Sequence, residues 1–288
     1  MLRRPAIAGD GTDDTEDIDT EDTGIPTHRR TDAPTHRRTD APTMIPQARL
    51  PVPAHASITL WPLPLLAGAL PCVAALLAWA LSTQLGLIPA CNVFVEGCVS
   101  VSRAARHDLP NHLFRALLLP AAALQALVWL LTARWISGLL AGAPAALRYR
   151  PLAWLAPLGI AAAVALVLYG SFLGTEGRTY RWLRQYGTVV YFGFTCLCML
   201  ICSGALQRAV RSGAIVLSRP LQLATGALAT LLVALGLANA IVGALVGDPL
   251  KDRVENVTEW WGSLIFVVGF FALAALWRRQ GLRAQLLA

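Results

Sequence analysis

From residue 51 onward the chain alternates between long uncharged stretches and short clusters of arginine. A membrane-crossing helix needs about 20 predominantly apolar residues. Reading from charge to charge predicts six of them, near 60–87, 111–136, 151–173, 185–207, 221–246 and 259–277. Pro62, Pro64 and Pro71 predict a late or kinked start for the first. The sixth, between Glu259 and Trp277, reaches about 28 Å at the helical rise, just enough for a hydrocarbon core. The expected architecture is all-α: a polytopic six-transmembrane-helix bundle over residues 56–280, followed by a short tail at 281–288.

Residues 1–55 follow a different pattern. They are rich in Asp, Thr, Pro and Arg and poor in aromatic and large aliphatic groups. Such a segment does not bury enough apolar surface to offset the entropy of ordering it, and it reads as a disordered polar tail. An octapeptide from Pro26 to Ala33 recurs unchanged from Pro34 to Ala41. Two polar copies are too few for a solenoid. They read as replication slippage, or as a docking or phosphorylation segment, since Thr31 and Thr39 each follow Arg-Arg.

Composition sharpens the membrane reading. Charged residues make up 14% of the chain and the mean hydropathy is +0.54, against about 25% charged residues in soluble domains. The first 50 residues hold ten of the 17 acids and seven of the 24 basic groups. The remainder is too sparsely charged to cover a globular surface in water. The net charge of +7 does not point to nucleic acid, because the arginines punctuate apolar runs instead of clustering on a solvated face.

The loops differ in sign. The second and fourth loops and the C-terminal segment carry Arg134, Arg148, Arg150, Arg208, Arg211, Arg219, Arg278, Arg279 and Arg283 without an acid. Loops one, three and five hold all seven remaining acids: Glu96, Asp108, Glu176, Asp248, Asp252, Glu255 and Glu259. The positive-inside rule makes the first set cytoplasmic. The expected location is therefore the cell membrane, multi-pass, with both termini cytoplasmic.

No ionisable residue sits at the centre of a span, which disfavours a proton-coupled transporter. Gln125 and Asn239 are the deepest polar groups and read as interhelical hydrogen-bonding partners. Gly170/Gly174 and Gly243/Gly247 have the small-xxx-small spacing of close helix contacts, read here as packing within one chain. Cys72, Cys196, Cys198 and Cys202 lie within spans, where Cys acts as a small apolar residue. Cys196, Cys198 and Cys202 have no accompanying His or carboxylate, so no metal site and no cofactor is expected. Cys91 and Cys98 fall in the first loop, as a disulfide or as two free thiols.

Candidate chemistry gathers on the loop-one side. Arg178, Arg181 and Arg184 recur every third residue, so a helical turn brings them to one side. Guanidinium forks suit phosphate and carboxylate. The bland alternative is that these arginines pair with the outer acids or extend to the membrane interface. Ser100, Ser102, Glu96, His107, Asp108, His112 and Glu259 supply possible acids, bases and nucleophiles. No nucleophile elbow, metalloprotease helix or phosphate loop organises them, and Asp108-Leu-Pro-Asn111 reads as a capped helix start. Glu259 is expected to open the sixth helix, ionised and paired with Arg103, Arg106 or Arg115.

Six spans, cytoplasmic termini, a polar first outer loop and Glu259-Trp260 opening a helix with Phe266, Phe270 and Phe271 resemble the Frag/DRAM/Sfk family. The resemblance covers roughly residues 58–278, and the Ala, Leu and Arg bias suggests a bacterial member. It implies a role in membrane-lipid organisation, lipid-anchor processing or regulation of other membrane proteins. It carries over Glu259 and Trp260, and the Ser102-Arg103 and Phe114-Arg115 steps. The Cys91/Cys98 loop and the acidic tail depart from the family pattern.

The expected function is a non-enzymatic, lipid-associated one. Its outward site is lined by Arg103, Arg106, Arg115, Arg178, Arg181, Arg184, Glu259 and Trp260. The partners expected are membrane lipid, with an anionic headgroup, and a membrane protein, without nucleic acid. A membrane-embedded transferase or hydrolase acting on a lipid-linked substrate is the alternative, and a transporter is third.

Overall fold

The computed structural model describes residues 57–248 and 250–285; the octapeptide repeat and the acidic tail lie outside the described residues. The helices are α1 (Pro62–Gln84), the short α2 (Val101–Ala104), α3 (Asp108–Leu140), α4 (Leu155–Ser171), α5 (Arg178–Arg211), α6 (Arg219–Leu245) and α7 (Leu250–Arg279). All but α2 are long and apolar enough to cross a membrane, α4 together with the 3-10 turn Arg150–Trp154 that leads into it. The chain is a helical, multi-pass membrane protein.

Local chemistry accounts for most boundaries. Pro62 and Pro64 occupy the first turn of α1, where a missing N–H costs little, and Pro71 is tolerated farther in because the Ala67 carbonyl that it deprives of a helical N–H accepts from Gln125 instead. Two helices exceed the expected spans. At 33 and 34 residues, α3 and α5 reach about 50 Å, well beyond a hydrocarbon core of roughly 30 Å. The start of α5, Arg178 to Gln185, is rich in arginine and precedes the apolar stretch of the helix. The start of α7 also lies earlier than expected, at Leu250 instead of Glu259. Charge ends a hydropathy run without ending a helix. Lys, Glu and Arg are good helix formers, and Lys251 and Glu255 pair at 4.0 Å along one face.

The spans form a closed ring. α1 packs on α3, α3 on α4, α4 on α5, α5 on α6, α6 on α7, and α7 returns to α1. Without a hydrophobic driving force between helices in lipid, close approach depends on small residues. Gly68 of α1 faces the Cβ of Phe270, Gly159 of α4 lies against the Trp129 ring, and Gly187 of α5 meets the backbone of Ala165 and Tyr169. A side chain at any of the three would push two helices apart. Gly170 contacts Leu118 of α3, whereas Gly174 lies beyond the end of α4. Inside the ring Trp129 packs on Phe270, and Gln125 donates to the Ala67 carbonyl at 3.1 Å, joining α3 to α1. The looser member is α6, whose buried residues are Ala229 and Leu232 alone.

Two short strands, β1 (Ser57–Thr59) and β2 (Arg283–Gln285), pair antiparallel with Ser57 opposite Gln285. No sequence signal predicted them. They hold both flanks of the bundle at one end, together with Arg278 over the Trp61 ring and Arg279, which donates to Ser218 Oγ at 2.8 Å.

Candidate functional site

At the opposite end, the segment joining α1 to α3 folds back over α7. Cys91 and Cys98 are bonded in a disulfide, their Cα atoms 6.5 Å apart. Between them Gly97 takes φ +61°, and a side chain there would strike the Arg253 carbonyl, so this loop lies almost directly on the α7 backbone. Trp260 Nε1 donates to the Val99 carbonyl at 2.9 Å, Trp261 Nε1 to the Phe94 carbonyl at 3.0 Å, and Asn256 Nδ2 to the Gly97 carbonyl at 2.8 Å. The Phe94 ring stands edge-on to both indoles. Read from sequence as polar and chemically promising, the loop is in large part a structural cap.

Past this cap, α2, α5, α6 and α7 enclose a cleft of about 1130 Å³. Its mouth is charged: Arg103 from α2 and Arg106 from the turn after it, Arg181 and Arg184 from α5, Asp252, Glu255 and Glu259 from α7. Deeper, the lining turns apolar. Val189, Phe192, Gly193, Cys196, Leu197 and Leu200 form one stripe of α5. Leu232, Val233, Gly236 and Leu237 line the facing part of α6. Gly193 and Gly236 are exposed in this lane, with nothing within 4 Å of where a Cβ would stand. Trp182, Tyr186 and Trp261 are exposed at this same end of the bundle, the aromatic signature of a membrane interface.

A second, smaller cavity of about 130 Å³ lies inside the ring. Tyr169, Thr188, Phe192, Glu259 and Phe266 line both spaces and form the wall between them. Gln125, Tyr191, Ser263 and the buried Trp260 line the cavity only.

The expected site residues divide. Arg103, Arg106, Arg181, Arg184 and Glu259 meet at the cleft. Arg115 and Arg178 do not line it: Arg115 is on α3, which borders α1 and α4, and Arg178 is exposed at the start of α5. Arg184 is partly committed, donating to the Thr175 carbonyl at 2.7 Å and to that of Phe172 at 3.3 Å, which fastens the turn between α4 and α5. The Nε of Arg106 is enclosed and without an acceptor.

The expected ion pair of Glu259 is absent. Among the described residues the one Lys- or Arg-carboxylate contact within 4.0 Å is Lys251–Glu255. Because α7 begins at Leu250, Glu259 is well inside the helix and away from its N-terminal dipole. It stands half-buried beside the Ser102 backbone N–H. The expected cap at Asp108 is also absent. Asp108 takes φ +45° and makes no capping bond, and Asn111 instead donates to the carbonyls of Ala105 and Leu173.

Of the other candidate acids, bases and nucleophiles, Ser100 and Ser102 line the cleft with Glu259, and Glu96, His107, Asp108 and His112 do not. Ser100 Oγ accepts from the Arg103 N–H and contacts Ser102 Oγ at 3.1 Å. Glu96 accepts from the Asn92 N–H, and His112 Nδ1 lies 2.8 Å from the Asp108 carbonyl. His107 is exposed and lines neither space. Among the described residues no hydrogen bond joins a histidine to a serine or a carboxylate.

Sequence reasoning missed the lane itself, with Thr188, Gly193, Gly236 and Asp252 in its lining. These residues look ordinary in a span or loop and gain meaning only from which helix faces which. No protein-family model, curated protein or solved structure matches the chain, so the resemblance to the Frag/DRAM/Sfk family rests on the quoted residues alone.

Proposed function

We propose that this is a lipid-binding membrane protein whose cleft holds one membrane lipid, with the headgroup at the charged mouth and an acyl chain along the lane between α5 and α6. The observation that carries this reading is the ordered change of lining within one space, from arginine and carboxylate to Val, Leu, Phe, Gly and Cys. A soluble polar ligand has no use for the lane, and a hydrocarbon has no use for the mouth. An amphiphile matches both, and exposed aromatics at the same end of the bundle suit a headgroup at interfacial depth. The Frag/DRAM/Sfk resemblance points to the same class of role.

The test is to block the lane without disturbing the fold. Gly193→Leu with Gly236→Leu introduces side chains where nothing stands within 4 Å. In native mass spectrometry of detergent-purified protein, the wild type should retain one lipid through activation that strips loosely held lipid. The double variant should fold, elute at the same volume and lose it. Equal retention in both proteins would refute the proposal.

Glu259 favours one second reading. It lines both the cleft and the inner cavity without a cation within 4.0 Å, a position from which a carboxyl can act on a bound lipid. In a deletion strain complemented with wild type or Glu259→Gln, a lipid product missing from both the deletion and the variant would make the protein an enzyme. An unchanged lipidome leaves binding alone.

A further inference from the structure

The mouth of the cleft is divided by sign. Its arginines, among them Arg103, Arg106 and Arg181, come from α2, the turn that follows it and α5, and its carboxylates, Asp252, Glu255 and Glu259, come from α7. Opposite charges lining one space ordinarily close on one another, because a fork-to-fork pair is the strongest contact either can make. Here they do not: no arginine of the mouth lies within 4.0 Å of a carboxylate among the described residues. The enclosed Nε of Arg106 has no acceptor at all. The two sets line one space without pairing with each other, although Glu255 also lies 4.0 Å from Lys251 of α7.

From this, and resting on the reading of the cleft as a lipid site, we propose that its ligand is a zwitterionic amphiphile whose headgroup carries a phosphate and a primary ammonium. The phosphate sits with the arginines of α2 and α5, the ammonium with the carboxylates of α7. A purely anionic headgroup satisfies the arginines but leaves the α7 carboxylates facing a like charge. A purely cationic one reverses the fault. A headgroup of both signs answers each wall and takes the place of the ion pairs that the mouth does not make. The ammonium is primary because carboxylate oxygens accept hydrogen bonds, and a quaternary ammonium has no N–H to give.

Full-length protein reconstituted in vesicles of equal phosphatidylethanolamine, phosphatidylglycerol and phosphatidylcholine, then re-extracted, reports the choice directly. The lane-filled Gly193→Leu/Gly236→Leu protein gives the background of loosely held lipid. Above that background, phosphatidylethanolamine should be enriched roughly tenfold over each of the other two, the discrimination that one charge-assisted hydrogen bond supplies. Asp252→Asn with Glu255→Gln should abolish that preference while lipid is still retained, and Arg103→Gln with Arg106→Gln should lower retention of all three. Enrichment of phosphatidylglycerol would overturn the assignment of a zwitterion, and equal enrichment of phosphatidylcholine that of a primary ammonium. A preference that survives the α7 substitutions would overturn the role given to those carboxylates. Failure of the wild type to retain any lipid above background would instead overturn the lipid reading itself.

Discussion

At the scale of single residues, Glu259 and Trp260 are neighbours in sequence with opposite dependence on their surroundings. Trp260 is buried and its indole N–H donates to the Val99 carbonyl. Trp260→Phe keeps most of the packing and leaves that carbonyl without its donor, a loss of about 1–3 kcal/mol in reversible unfolding from mixed micelles. Glu259 has no charged partner to lose. Glu259→Gln should therefore change stability by less than about 1 kcal/mol, where breaking a buried ion pair would cost about 3–5 kcal/mol. A large loss in Glu259→Gln would mean that an arginine pairs with it after all. Of the charged residues singled out by type, five line the cleft and two do not. Arg115 and Arg178 are chemically the same as Arg106 and Arg181, and what separates them is which face of its helix each occupies. That rotation is set by contacts such as Gly187 against Tyr169, which no single-residue property announces.

At the scale of elements, the spans were legible because arginines and acids punctuate apolar runs, and a membrane tolerates few charges within them. Their ends were not, because hydropathy marks where lipid stops and helix formation continues into water. The early start of α7 follows: Leu250 to Thr258 is helix without being span-like in composition. The α1–α3 segment was legible as two cysteines in one loop but not as a cap, since its anchors are backbone carbonyls that any sequence supplies. The disulfide holds this cap in register with α7. Replacing Cys91 and Cys98 by Ser should cost about 2–3 kcal/mol for a loop of this length in the chain-entropy model. Alkylation of denatured wild-type protein without reductant should modify only Cys72, Cys196, Cys198 and Cys202.

At the scale of the whole molecule, the distribution of arginine predicts which end faces the cytoplasm. Val95 and Val216 are exposed, at 74% and 89%, and lie at opposite ends of the bundle. Val95→Cys, in a Cys91→Ser/Cys98→Ser background, should react with an impermeant maleimide on intact cells, and Val216→Cys only after permeabilisation; the reverse would invert the orientation. Closure of the ring through α1 and α7 also sets a clock. Gly68 and Phe270 are separated by roughly 200 residues, which synthesis at about 5–20 residues per second takes on the order of 10–40 s to traverse. During that interval the α7-facing side of α1 has lipid for a neighbour, which is tolerable because lipid tails are as apolar as the leucines that will replace them. The cleft, whose acidic wall belongs to α7, does not yet exist. A nascent chain halted before Leu250 would lack that wall, so the lipid proposed for the cleft would be taken up by the finished protein and not during its birth.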